Sequence, residues 1–161
     1  MSFCGCHGSA GLEPTARQAP GDVGQRQVRG LKFIMSKLTL TLLPEKLGIC
    51  RLDSGAAIPG WLSSTRSFYA VTGTADETSL VCREDLIPAD YPSEKNFRAF
   101  KVEGPLDFSL TGILVSLLQP LADAGIAVFA ISTYDTDYIL VKRDKLEKAI
   151  EVLSAVATII R

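Results

Sequence analysis

Asp135 and Asp137, two residues apart, are the first candidates for chemistry in this 161-residue chain. Paired carboxylates can divide acid and base work when their environments separate their proton affinities. These two stand in Thr133-Tyr134-Asp135-Thr136-Asp137, between two apolar runs, where Asp also serves a turn by bonding nearby backbone. His7 is the only histidine. It precedes every patterned segment, so the body of the chain has no Ser-His-Asp triad, Cys-His pair or histidine metal site to build. Cys4-Gly5-Cys6-His7 resembles half a metal site, but a structural zinc needs four ligands and no second cluster follows. Cys82 has only Arg83 beside it in sequence to lower its pKa as a nucleophile. Gly55, Gly60, Gly73 and Gly104 read as isolated turn glycines, so neither a P-loop nor a Rossmann fingerprint is present. The residues call for no cofactor and no metal, and they do not describe an enzyme.

The elements that would position these side chains are clearest between Gly104 and Asp144. Ile113, Leu114, Leu117, Leu118 and Leu121 recur at three- and four-residue spacing, which predicts an amphipathic helix from Leu110 to Leu121. Gly125 ends it, and Ala127–Ile131 with Tyr138–Val141 then reads as an antiparallel hairpin. Asp144-Lys145-Leu146-Glu147 has the spacing of a capping box ahead of a last helix striped by Leu146, Ile150 and Leu153. Thr158-Ile159-Ile160 adds a short strand.

Upstream, Leu38–Leu42 alternates as a strand with one buried face, and Leu47–Leu52 and Phe68–Thr72 are two more. Ser79–Cys82 is a fourth. Ile58–Leu62 and Arg83–Ile87 each allow about one helical turn. Asp90–Asn96 is the best linker, and Phe97–Val102 alternates into another strand. The stretch 1–30 has neither period and reads as disordered, and residues 1–34 have the character of an over-extended start before Met35. The expected division is a tail at 1–35, a first module at 36–96 and a second at 97–161.

Composition narrows the partners. The chain is 47% hydrophobic and 22% charged with net charge −1, and no sign gathers into a run, which argues against nucleic acid. No apolar run approaches the ~18–20 residues of a membrane span, and no signal peptide is evident, so a soluble, cytoplasmic protein is expected. Cys50 and Cys82 lie in strand-like runs as ordinary buried thiols.

Sliding the chain against itself by about 60 residues lays Tyr69-Ala70-Val71-Thr72 on Phe129-Ala130-Ile131-Ser132, and Leu80–Leu86 on Leu140–Leu146. Glu77 falls on Asp137. Two strands and a helix start therefore occur twice, with the helices reduced in the first copy.

Leu80–Pro88, Pro120–Ile126 and Ile131–Val141 resemble small tandem ACT proteins of bacteria and the ACT modules of the CASTOR amino-acid sensors. The resemblance spans roughly Leu38–Val156. It implies an α+β chain of two tandem ferredoxin-like βαββαβ modules with antiparallel sheets, and a habit of binding amino acids where modules meet. An amino acid needs an acidic group, backbone donors and a shaped pocket. Backbone N–H groups of the loop at Leu106, Asp107, Phe108 and Ser109, ahead of the helix, suit a carboxylate. Gly112 permits close approach. The resemblance adds Thr133, Tyr134 and Asp137 as pocket residues, with Asp137 as the cation partner and Thr136 standing where an aromatic wall is expected. The implied function is a ligand-binding regulatory or sensor protein, acting through ligand-dependent association and with a possible regulated protein partner. The alternatives are a protein-interaction or structural ACT-fold subunit without ligand and, less favoured, a small enzyme. Because Tyr138–Val141 sends apolar side chains to both faces of its sheet, the face without helices must pack on the first module or on a second copy, and a homodimer is expected.

Overall fold

The structure, a computed structural model, describes residues 38–63 and 67–161. The segment 1–35, with Cys4-Gly5-Cys6-His7, lies outside the described residues. The alternating run Leu38–Leu42 forms β1, and the turn at Pro44-Glu45-Lys46 leads to β2 (Leu47–Asp53). One helical turn, α1 (Gly60–Ser63), precedes the hairpin β3 (Ala70–Gly73) and β4 (Glu77–Arg83). A 3-10 turn at Glu84–Leu86 then leads to the long strand β5 (Ser93–Val102). After it come α2 (Ile113–Asp123), β6 (Val128–Ser132), β7 (Asp137–Lys142), α3 (Leu146–Ser154) and β8 (Ala157–Ile160). Among the described residues no helix is long and apolar enough to cross a membrane.

The described strands form one sheet organised on β5. Phe97 faces Leu47 of β2 across one edge and Lys142 of β7 across the other, while Phe100 faces Leu42 of β1 and Ile139 of β7. β1 and β2 thus follow one another along the same edge of β5. β4 and β3 extend the sheet beyond β2, β8 runs parallel to β1, and β6 closes the far side on β7. The arrangement gives two α+β halves joined through a shared strand.

Two expectations change here. β1, expected to open the first module, lies between β5 and β8 and sends Leu40 into the second module's core beside Phe100, Val102 and Ala157. The division at 96/97 falls within β5. The linker expected at Asp90–Asn96 is strand from Ser93 onward, because β2 pairs with it and a register shift absorbs its irregular pattern. Asn96 takes a positive φ of 65° there, and its N–H donates to the Glu84 carboxylate at 2.9 Å.

The helical stripe of α2 buries Ile113, Leu117 and Leu121 against one face of β5, β7 and β1, with Leu146, Ala149 and Leu153 of α3 beside them. Gly125, at φ 69°, ends α2: its N–H donates to Ala122 O, and that of Ile126 donates to Leu121 O, each at 2.9 Å. The capping box is not formed. The chain enters α3 through a 3-10 turn at Arg143–Lys145, and no side chain caps it.

The opposite face of the sheet is covered from within the chain. Leu47 and Val81 of the first half share one buried cluster with Phe97, Ala99 and Leu140, and Phe68 and Tyr138 pack against it. Four strand spacings, about 19 Å in a flat sheet, separate β3 from β7. The Phe68 and Tyr138 rings nonetheless lie 4.4 Å apart, so the sheet curls and the approach to β3 turns inward over its concave face. The open face of the second module therefore packs on the first. The hairpins β3–β4 and β6–β7 repeat at 59 residues: Ala70 pairs with Val81 as Phe129 pairs with Leu140. That register carries Glu77 onto Thr136 and places Val81 and Leu140 in the same cluster.

Candidate functional site

The loop between β5 and α2 crosses the tip of the β6–β7 hairpin, and the crossing is built from backbone. Leu106 N–H donates to Asp135 O at 2.8 Å. Gly104 makes the approach possible: a Cβ there would fall 2.6 Å from that same carbonyl oxygen. Gly104 is therefore a close-packing position rather than a turn glycine. From the hairpin side, Thr136 is buried, and its hydroxyl donates to Val102 O of β5. Thr133 N–H closes the turn on Thr136 O at 2.8 Å. Loop and hairpin are thus tied at two points.

Between them lies a cleft of about 280 Å³. Leu106, Asp107, Phe108, Gly112, Thr133, Tyr134 and Asp137, seven of the eight residues expected from sequence, line it. Ser109 does not line it. Its N–H folds back onto the Asp107 carboxylate at 2.8 Å, and that bonding, the Ser109 side chain foremost, holds Asp107 below the usual carboxylate range. Leu110, Ile113, Leu114, Ser132, Asp135 and Thr136 complete the lining. Ile113 and Leu114 belong to a stripe that sequence assigns wholly to the core. Leu110 joins the lining because its N–H bonds Asp107 O at 2.9 Å, and α2 begins only at Ile113.

Gly112 precedes α2 with φ 83°, no side chain caps the helix, and no acidic residue occupies its first turn. Gly112, Ile113 and Leu114 thus bring the uncapped N-terminus of α2 to the lining of the cleft, a place that favours an anion. Asp137 stands on the hairpin wall, where Ser132 Oγ donates to its Oδ1 at 2.6 Å. One carboxylate oxygen is held and the group keeps further acceptor capacity. No Lys, Arg or His side chain contributes to the lining among the described residues. At the mouth, Phe108 from the loop and Tyr134 from the hairpin meet edge to face at 5.1 Å, 76% and 80% exposed.

Other candidates lose ground. Asp135 is exposed, and its carbonyl serves the loop contact. Cys82 is fully buried, and burial, with Cys50 and Asp85 adding to it, pushes its thiol up to about 11, the reverse of an activated nucleophile. Among the described residues no group of three or more His, Cys, Asp or Glu is placed to hold a metal.

Comparisons bear on this arrangement. A family model described as an ACT domain matches residues 92–155, and a model of an N-terminal domain matches residues 45–90. The human protein CASTOR3P is 29% identical over 132 residues, covering 73% of this chain and 80% of that protein. The X-ray structure of Atu0741 from Agrobacterium tumefaciens superimposes with a TM-score of 0.72 at 37% identity, covering 77% of this chain and 92% of that one. The regulatory subunit of aspartate kinase from Thermus thermophilus shares the fold at 12% identity, with a TM-score of 0.51 over 73% of this chain and 95% of its own.

Proposed function

The chain belongs to the ACT-domain family, and on that premise we propose that it is a regulatory protein that binds a free amino acid in the cleft between 106–114 and 132–137. The observation that carries this reading is the meeting of two distant stretches, the loop ahead of α2 and the hairpin tip with Asp137, in one cleft with two electrically distinct ends. The ligand carboxylate sits at the N-terminus of α2, where the helix dipole and open N–H groups meet it. Its ammonium meets Asp137. Leu106, Ile113 and Leu114 supply an apolar wall for the side chain. With no cationic side chain in the lining, a second carboxylate on the ligand gains no partner, so acidic amino acids bind least. A volume near 280 Å³ suits a small metabolite rather than a nucleotide. The reading includes a homodimer whose association, or choice of protein partner, shifts with ligand.

A thermal-shift screen of the common amino acids tests it. A ligand at 100 times its dissociation constant stabilises the fold by ~2.7 kcal/mol. Asp137→Ala removes that shift and leaves the unliganded melting temperature nearly unchanged. Failure of every amino acid to move the transition discards the sensor reading and leaves the interaction subunit. The exposed Phe108–Tyr134 pair favours that second reading, since a protein surface would bury both rings.

A further inference from the structure

On the concave face of the sheet, at the end away from the loop–hairpin crossing, residues of β2, β4, β5, β6 and β7 line a second cleft of about 600 Å³. Strand alternation decides what faces it. Ile49 and Phe97 belong to the concave cluster or pack on it, and Phe129 lies opposite Leu140, a member of the same cluster, so these three give the cleft an apolar floor with two aromatic rings. Two residues past Leu140, Lys142 points to the same face. Its Nζ stands 4.0 Å above the centre of the Phe97 ring and donates to Lys95 O at 2.8 Å, which fixes its place, and to the Glu94 carboxylate at 2.9 Å. The pair is uneven: the Lys142 side chain is 36% exposed and that of Glu94 77%. An ion pair so open contributes little, and a second carboxylate can take the place of Glu94 at small cost. Arg51 on the other rim is itself more exposed than Lys142, at 57%, and differs in the carboxylate it meets. Its Glu77 partner is also bonded by Ser79 Oγ at 2.8 Å, and stays in place.

We propose that this cleft is a second ligand site, for an apolar monocarboxylate whose aryl or aliphatic body lies on Ile49, Phe97 and Phe129 and whose carboxylate pairs with Lys142. A concave, mainly apolar lining with a few polar groups to fix orientation is the usual form of a small-ligand site. The site shares no lining residue with the loop–hairpin cleft, so either can fail alone.

The test uses the full chain and 1-anilinonaphthalene-8-sulfonate, an aromatic anion whose emission rises on apolar surfaces, as the probe. Saturable binding is expected, displaced by 4-phenylbutyrate and at least tenfold less effectively by 4-phenylbutylamine, which has the same body and the opposite charge. Lys142→Ala weakens 4-phenylbutyrate at least tenfold. Phe129→Glu, on an edge strand where the ring is already 37% exposed, abolishes probe binding without loss of the folded state. Asp137→Ala leaves the probe untouched. Equal displacement by acid and amine, equal binding by wild type and Lys142→Ala, unsaturable binding, or loss of the probe in Asp137→Ala each overturns the proposal. An amino-acid thermal shift abolished by Asp137→Ala and retained by Lys142→Ala reports on the other cleft alone.

Discussion

Gly104→Ala is the sharpest perturbation of the site that leaves its ligand groups intact. The added Cβ falls 2.6 Å from Asp135 O and 3.1 Å from Leu106 N, the two atoms of the hydrogen bond that ties loop to hairpin. Neither belongs to a side chain that can rotate away, so loop and hairpin must part. Overpacking costs about 1–3 kcal/mol and the lost backbone bond about 1 more, which sums to roughly 2–4 kcal/mol. For a domain of this size each kcal/mol moves the melting temperature by roughly 3–6 °C, so a drop near 10 °C is expected, with a lower urea midpoint and an unchanged slope. Two other glycines calibrate the result. Gly48→Ala meets the Ile87 Cδ1 atom at 2.5 Å, the tip of a side chain that can change rotamer, and costs under about 1.5 kcal/mol. Gly73→Ala meets nothing within 4 Å and stays within ~0.5 kcal/mol. A Gly104→Ala protein as stable as Gly73→Ala would show that the loop does not cross the hairpin as described.

Thr136→Val keeps the shape of a buried residue and removes the bond its hydroxyl makes to Val102 O, for a loss of about 0.5–1.5 kcal/mol in urea unfolding. Leu140→Ala empties a fully buried position in the cluster that Val81 and Leu140 share across the two halves and costs about 2–5 kcal/mol, with both halves melting in one transition. Cys82 gives a pH signature. Its folded thiol titrates near 11 against an ordinary 9.0, so between those values the unfolded chain loses a proton that the folded chain keeps, and stability falls as pH rises. The linked loss is about 2.3 kcal/mol at pH 11, and its limit above that pH is ~2.7 kcal/mol. It is measured as the narrowing gap between wild type and Cys82→Ala in urea melts from pH 8 to pH 11, and a constant gap contradicts it.

Local patterns were legible in the sequence, and pairings between distant segments were not. The stripe Ile113, Leu117, Leu121 and the glycine at 125 state a helix and its end within a dozen residues, and the hairpin with its polar tip is equally self-contained. The loop ahead of α2 could be chosen as a site for the same local reason, whereas Thr133 and Tyr134 of the hairpin tip were suggested only by the family resemblance; the fold brings the two together. Nothing local places β1 between β5 and β8, because Leu38-Thr39-Leu40-Thr41-Leu42 specifies a strand with one buried face and leaves its neighbours open. Ser93-Glu94-Lys95-Asn96 read as a linker because its strand character comes from β2 alongside and from a bulge at Asn96, not from its own side chains. The spacing at Asp144 and Glu147 was misleading since a 3-10 turn at Arg143–Lys145 occupies the entry to α3. Gly104 carried no signal of its own, because what forbids a larger residue there is a carbonyl 31 residues downstream.

The central claim is that an amino acid lodges between the N-terminus of α2 and Asp137. Titrating the isotopically labelled protein with each common amino acid, and following backbone amide resonances, tests it directly. The account predicts that at least one amino acid moves the amides of Ile113, Leu114 and the segment 132–137 together, saturably, and that Asp137→Ala silences the response. Shifts centred on Ile49, Phe97 and Phe129 instead, or no saturable response to any amino acid, would contradict it.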